Sequence, residues 1–99
     1  WNDEELKALS ARVVRAAPNE AIALSMRAMV LSGMSYGAWE AEPRSAAELT
    51  EAAAHFDRAA ALSSAPAKAL RTSLADSCRS WVDSVPASLA SSVYFTVKP

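Results

Sequence analysis

Cysteine, histidine and glycine are scarce in this chain of 99 residues, which contains one Cys, one His and two Gly. A single cysteine excludes an internal disulfide framework, and the lack of a Cys/His cluster excludes the usual ligand sets for zinc. Two glycines are too few for a glycine-rich loop that binds phosphate groups. Charge of one sign is also lacking, since ten basic and eleven acidic residues give a formal net charge of −1. Near-zero charge argues against nucleic acid as the main partner, because phosphate binding leaves a basic footprint.

No run of residues is long and apolar enough to predict a membrane span. The longest uncharged stretch runs from Ser84 to Val97 and is interrupted by Pro86, whereas a spanning helix needs about 20 apolar residues. The first residues, Trp1 to Glu5, are acidic and polar and do not resemble a signal or transit peptide. We expect a processed or excised piece of an intracellular protein, without assigning a compartment.

Apolar spacing and helix-end signals predict an all-α domain. Alanine supplies much of the 52% hydrophobic content, and it favours helix formation more than it adds volume to a core. Apolar residues recur at helical spacing in four segments, which are separated by proline, glycine and serine. The predicted helices cover about residues 3–17, 20–32, 45–62 and 66–82, within a domain of residues 1–83 that precedes a tail of residues 84–99.

The ends of these helices carry capping signals. Asn2 and Asn19 are candidate N-caps of the first two helices, and Gly33 follows the second helix, where a left-handed residue is favoured. Ser45 and Glu48 have capping-box spacing at the start of the third helix, so that each side chain can accept a hydrogen bond from the other's backbone N–H. Local sequence therefore predicts where the helices begin and end.

Residues 33–44 are predicted to form a loop, which contains Gly37 and Pro43 as helix breakers. Tyr36 and Trp39 supply large aromatic side chains in this loop, and we expect both to pack against the helices or against a partner. They are therefore candidate partner-binding residues. In the tail, residues 94–97 are aromatic and β-branched, which predicts an extended segment.

The second helix is apolar over most of its circumference, which predicts a central helix that is packed on two sides. We expect a core between the second, third and fourth helices. Its predicted members are Met26, Met29, Leu49, Phe56, Leu70 and Leu74.

The chain is similar to itself at a shift of 48 residues. This shift aligns Ala17 and Pro18 with Ala65 and Pro66, and it brings small and bulky apolar residues of the flanking helices into register. The aligned segments run from Ala11 to Met26 and from Ala59 to Leu74. Self-similarity at about 20–50 residues is typical of stacked supersecondary units, although two alanine-rich hairpins can share such spacing by chance.

With this repeat, the chain resembles the tetratricopeptide repeat (TPR) family. Ile22 stands at the position of the family's Trp, and Met29 stands at that of its Tyr. Ala52 and Phe56 have its A-x-x-x-F spacing, and Pro66 closes the unit. The family period is about 34 residues, so the 48-residue shift implies that about fourteen residues are inserted between residues 34 and 47. No Leu-Gly pair follows Ile22 in this chain. The resemblance implies antiparallel helical hairpins that stack as a short right-handed α-solenoid segment.

No residue pattern predicts catalysis. His55, the one histidine, lies between Glu51 and Arg58 at helical spacing, which predicts a solvated helix face. Cys78 lies on the apolar face of the fourth helix, where a free cysteine is usually a small buried hydrophobe. No serine occurs in a G-x-S-x-G or S-x-x-K motif. We expect neither enzyme activity nor a cofactor or metal site.

In TPR-like stacks the first helix of each unit lines a concave groove. Transferring the family's groove positions to this chain implies five partner-binding residues, Glu20, Arg27, Lys68, Arg71 and Arg79. If the repeat is real, Arg27, Lys68 and Arg71 share one surface, which attracts an acidic peptide or chain terminus through charge-assisted hydrogen bonds. The alternative is an ordinary solvated helix face.

The leading functional hypothesis is a non-catalytic protein–protein interaction module that binds a peptide or a neighbouring subunit. One alternative is a structural subunit, or a fragment of a longer repeat array, that is permanently buried in a larger assembly. Another alternative is an accessory or small-ligand-binding helical domain of an enzyme. An exposed apolar patch favours permanent burial, whereas a polar and charged groove favours a transient peptide ligand.

Overall fold

The computed structural model describes residues 3–34 and 44–85, and all regular structure in these two ranges is helical. Helix α1 spans Asp3–Ala16, α2 spans Ala21–Ser32, α3 spans Ala46–Ala61 and α4 spans Ala65–Ser84. The all-α prediction is confirmed, and each helix end lies within two residues of its predicted position. No helix in the two described ranges is long and apolar enough to cross a membrane. Asn2, Tyr36, Trp39 and the tail from residue 86 onward lie outside the described residues.

Two of the predicted helix-end signals act as expected. Ser45 Oγ accepts a hydrogen bond from the Glu48 backbone N–H at 3.1 Å, and Glu48 Oε1 accepts one from the Ser45 N–H at 3.0 Å. This capping box satisfies backbone donors that the start of α3 leaves free. Gly33 ends α2 in the left-handed conformation, with a φ of 79°, and its N–H donates to Val30 O. A side chain with a Cβ is disfavoured at such a position, so glycine is the residue that fits.

Asn19 does not cap α2, which corrects its predicted role. Glu20 is the N-cap residue, and its side chain makes no capping hydrogen bond. The Asn19 Oδ1 atom instead accepts a hydrogen bond from Arg58 Nη2 at 2.7 Å. The turn between α1 and α2 therefore lies beside the end of α3, and Asn19 links these two parts of the fold.

The helices pack in chain order, α1 on α2, α2 on α3 and α3 on α4. Their shared core is centred on α3, where Phe56 is fully buried. Most of its other members are small, and helices that meet through small side chains approach closely. The core cluster consists of Ala28, Leu31, Ala52, Ala53, Phe56, Ala75 and Cys78.

Three predicted core residues are exposed, so their predicted burial is wrong. Met26, Met29 and Leu70 keep 45%, 38% and 61% of their surface accessible to solvent. The physical reason is that α4 packs on α3 rather than on α2, so one apolar row of α2 has no covering helix within the described residues. The other three predicted members are buried or half-buried, namely Leu49, Phe56 and Leu74.

Helix α1 makes several polar contacts with the rest of the fold, and its buried residues are Asp3 and Ser10. Asp3 forms a paired ion contact with Arg44, with Nη1–Oδ2 and Nη2–Oδ1 distances of 2.6 and 2.8 Å. The same guanidinium donates to a backbone carbonyl of α2 at 2.9 Å. Lys7 Nζ lies 2.5 Å from Glu48 Oε2. These contacts join the start of α1 to the end of α2 and the start of α3.

Candidate functional site

The outer face of α2 exposes a row of large apolar side chains. Ile22, Met26 and Met29 are spaced three or four residues apart and keep 70%, 45% and 38% of their surface exposed. Apolar residues at this spacing form a stripe on one face of a helix, and such a stripe normally packs against another element. The row is therefore a surface on which a further group can pack.

A cleft of about 290 Å³, here named the α2–α4 cleft, follows this row. Methionine side chains are unbranched and polarisable, so the α2 wall can adapt its shape to different apolar groups. The lining residues are Ile22, Ser25, Met26, Met29 and Val30 of α2 and Arg71 of α4. The cleft is thus a mostly apolar surface that faces one cation.

Arg71 is held in place by the end of α3. Its Nη1 atom donates to Ser63 Oγ, and that hydroxyl in turn donates to Ala59 O at 2.5 Å. The last carbonyl groups of a helix lack partners within the helix and carry partial negative charge, so this is a favourable place for a guanidinium. No carboxylate within the described ranges pairs with Arg71.

Ser25 adds a polar group to the otherwise apolar α2 wall. Its Oγ atom is buried and has no hydrogen-bond partner among the described residues. A buried hydroxyl without a partner lowers stability by about 1–3 kcal/mol.

The structure does not bring Arg27 into the α2–α4 cleft. Its Nη1 atom donates to Lys7 O at 2.7 Å and to Ser10 Oγ at 3.0 Å, both on α1. Its Nη2 atom lies 3.3 Å from Glu51 Oε2 on α3. The Arg27 side chain therefore joins α1, α2 and α3.

The other predicted groove residues lie in separate settings. Arg79 pairs with Asp57 of α3 and with Asp76 of α4, and it lines a second groove, of about 350 Å³, between α3 and α4. Glu20 and Lys68 are exposed, and neither lines the α2–α4 cleft. Of the five predicted groove residues, Arg71 alone lines that cleft, and partner binding by the others stays a prediction.

The two residues with the most reactive side chains lie away from the cleft lining. His55 Nε2 lies 3.0 Å from Glu51 Oε2, one turn away on α3. Cys78 is fully buried, and burial raises the pKa of its thiol, which keeps the thiol protonated and unreactive at neutral pH. In the part of the chain that the structure describes, no group of three or more His, Cys, Asp or Glu could hold a metal ion.

Ser25 is a site residue that the helical pattern alone does not single out. It lies three residues after Ile22 and one before Met26, so it falls on the same face of α2. A hydroxyl inside an apolar row is the one signal that could have identified it. No signal in the sequence indicates that the row itself is exposed, because the same spacing also predicts a buried helix face.

Comparisons with protein-family models, with curated proteins and with solved structures found no match for this chain. The TPR resemblance therefore stays a prediction that rests on the sequence pattern.

Proposed function

We propose that this chain is a non-catalytic, intracellular protein interaction module that binds a peptide segment of another protein in the α2–α4 cleft. The observation that carries this proposal is the exposed row of Ile22, Met26 and Met29 along the cleft. Apolar surface that polar groups border is typical of interaction sites. A partner that places bulky side chains on this row removes apolar surface from water on both molecules.

The lining of the cleft suits binding better than chemistry. It contains no His, Cys, Asp or Glu, and its polar side chains are those of Ser25 and Arg71. A serine nucleophile needs an adjacent general base, and none of the lining residues can act as one. The groups present can pack against a ligand and hydrogen-bond with it.

The helical arrangement that accompanies this function is, in our proposal, a TPR-like stack. In this arrangement α2 and α3 form one hairpin, and α4 begins the next. Two observations support it: α2, α3 and α4 pack in chain order, and Ala52 and Phe56, at the A-x-x-x-F positions, are both fully buried.

A selection from a displayed library of random peptides tests the proposed function. Peptides that bind the wild-type chain are measured against Met26→Asp, which places a charge on the apolar row without disturbing a buried side chain. We expect binding to weaken by about tenfold or more, because a desolvated charge opposes apolar contact. Leu62→Asp is the matched control, since Leu62 is 48% exposed and does not line the cleft.

Two results contradict the proposal. One is a library that yields no binder above background. The other is a set of binders whose affinity is the same for wild type, Met26→Asp and Leu62→Asp, because these peptides bind elsewhere.

A permanently buried subunit is the second candidate function. It is favoured by large apolar side chains that are exposed beyond the cleft, since Leu62, Leu70 and Trp81 keep 48%, 61% and 41% of their surface accessible. The guanidinium of Arg71 in the cleft favours the peptide-binding module instead, because permanent interfaces are more hydrophobic than transient ones. A chain that aggregates when purified alone supports permanent burial, and a soluble monomer supports the module.

A further inference from the structure

Arg71 differs from several other described cations in having no described carboxylate partner. A guanidinium carries five N–H donors, and the hydrogen bond of Arg71 within the described residues goes to the Ser63 hydroxyl. Its remaining donors are therefore available to a group that enters the cleft. The cations that do pair with Asp or Glu are Lys7, Arg27, Arg44 and Arg79.

A second polar group lines the same cleft from the other helix. Ser25 Oγ is buried and without a partner in the described ranges, and Ser25 and Arg71 are both lining residues. The remaining lining residues are apolar. An occupant of this cleft therefore meets a mostly apolar wall and one guanidinium that can bind an anion.

We infer that the α2–α4 cleft selects a partner segment that carries an Asp or Glu side chain close to two or more bulky apolar residues. This specificity rests on the proposed peptide-binding function. The apolar residues pack on Ile22, Met26 and Met29, while the carboxylate accepts paired hydrogen bonds from Arg71.

Because of the surroundings of Arg71, the Asp or Glu side chain of the partner segment determines the specificity of binding. An apolar wall lowers the local dielectric constant, which strengthens a hydrogen bond to a charged group. An apolar segment without an acid would cover the guanidinium and leave it without an anion, which is unfavourable. A segment with a basic residue at this point would bring two like charges together.

Two parallel selections test this inference with the same displayed library of random peptides. One selection uses the wild-type chain, and the other uses Arg71→Met, which keeps a similar apolar stem but removes the charge. Wild-type binders are expected to carry Asp or Glu at a fixed distance in sequence from two bulky apolar residues. Binders of Arg71→Met are expected to lack this acid.

One wild-type binder is then synthesised with its acid intact and with the acid changed to the corresponding amide. The change should weaken binding to the wild-type chain by about tenfold or more and leave binding to Arg71→Met nearly unchanged. Lys68→Met is the matched control, because Lys68 is an exposed cation of the same helix outside the cleft.

The outcomes separate this inference from the proposed function. If the selected peptides require Met26 but are not enriched in Asp or Glu, the peptide-binding function is supported and the inferred acidic specificity is wrong. An equal effect of the acid-to-amide change on wild type and Arg71→Met also overturns it. If no binder depends on Met26, both fail. Self-association that Met26→Asp abolishes would make the occupant a second copy of this chain and overturn the inference.

Discussion

Phe56 is the largest side chain that is fully buried among the described residues. Its neighbours in the core are mostly alanines, which have no side-chain freedom to fill a space beside them. We expect Phe56→Ala to lower the free energy of unfolding by about 3–5 kcal/mol, because the cavity left behind cannot collapse fully. Urea denaturation followed by circular dichroism measures this loss.

Met26→Ala is the matched comparison, because it also shortens a large apolar side chain. Met26 is 45% exposed, so we expect its replacement to lower the free energy of unfolding by less than about 1 kcal/mol. A loss close to that of Phe56→Ala would mean that the row on α2 is covered in solution, and that result would contradict an open cleft.

Arg27 and Arg71 show why residue type alone did not predict which side chains line the α2–α4 cleft. Both residues carry the same group, on helices that the 48-residue self-similarity predicts to be equivalent. Arg27 meets a carbonyl and a hydroxyl of α1, which are near it because α1 packs on α2. Arg71 lines the cleft because α4 packs on α3. The sequence therefore supplied the candidates, and tertiary packing decided between them.

At the scale of the helix, the contribution of the α3 capping box to the free energy of unfolding can be measured directly. Ser45→Ala removes the side chain that accepts from the Glu48 N–H, and we expect a loss of about 1 kcal/mol in the free energy of unfolding. Ser64→Ala is the matched control, since Ser64 is the N-cap of α4 and its side chain makes no capping hydrogen bond. Equal losses in urea denaturation would refute a special role for the capping box.

Helix α1 is joined to the rest of the fold by two ion pairs, Asp3–Arg44 and Lys7–Glu48. Burial alone would raise the pKa of Glu48, but the hydrogen bond from Lys7, the Ser45 N–H and the charges of Lys7 and Arg44 outweigh it and lower the pKa below its ordinary value of 4.5. A carboxylate with a lowered pKa stabilises the fold at pH above its ordinary value, and this contribution is lost as the pH falls through the lowered value.

We expect acid to release α1 before α2, α3 and α4 separate. The charged groups that meet around this attachment are Asp3 and Lys7 of α1, Arg27 of α2, Arg44, and Glu48, Glu51 and His55 of α3. Protonation of the carboxylates removes the ion pairs of α1, whereas the core between α2, α3 and α4 is apolar and does not titrate. NMR spectra recorded between about pH 7 and about pH 3 should show α1 amides changing first.

The variant Glu48→Gln separates the contribution of the Lys7–Glu48 ion pair from that of the α3 capping box. Glutamine can replace glutamate in a capping box, so this variant keeps the start of α3 and loses the charge that meets Lys7. Its α1 signals should already be shifted at neutral pH and should change less on acidification. Asp83→Asn, which removes an exposed acid of α4, should behave like wild type. Simultaneous loss of all four helices in acid would show that α1 is not a separable element.

The helices were far easier to predict than their arrangement. Signals such as Gly33 and the Ser45–Glu48 pair act on the residues next to them, so local sequence was enough to place the ends of α2 and α3. Asn19 shows the limit, because Arg58, which is remote in sequence, bonds it and the expected cap does not form. The covered face of α2 depends on where α4 packs, and a helical pattern contains no information on that choice.

At the scale of the whole molecule, the order of packing determines which surfaces stay open. Each helix packs on its neighbours in the chain, so α2 and α4 share α3 without covering each other. The α2–α4 cleft is the direct result of this order. Of its lining residues, Arg71 alone was among the predicted site residues, because the existence of the cleft depends on the positions of three helices at once.

The alanines of the core have a consequence for how the sequence of this protein can change. Ala28, Ala52, Ala59 and Ala75 are all fully buried, and protein interiors are close-packed, which leaves little room beside such residues. Glycine at such a position weakens the helix by about 1 kcal/mol, and any larger residue overpacks the interior by about 1–3 kcal/mol. Substitution is therefore restricted in both directions at these positions, whereas the side chains of the exposed row of α2 can change in size without overpacking the core.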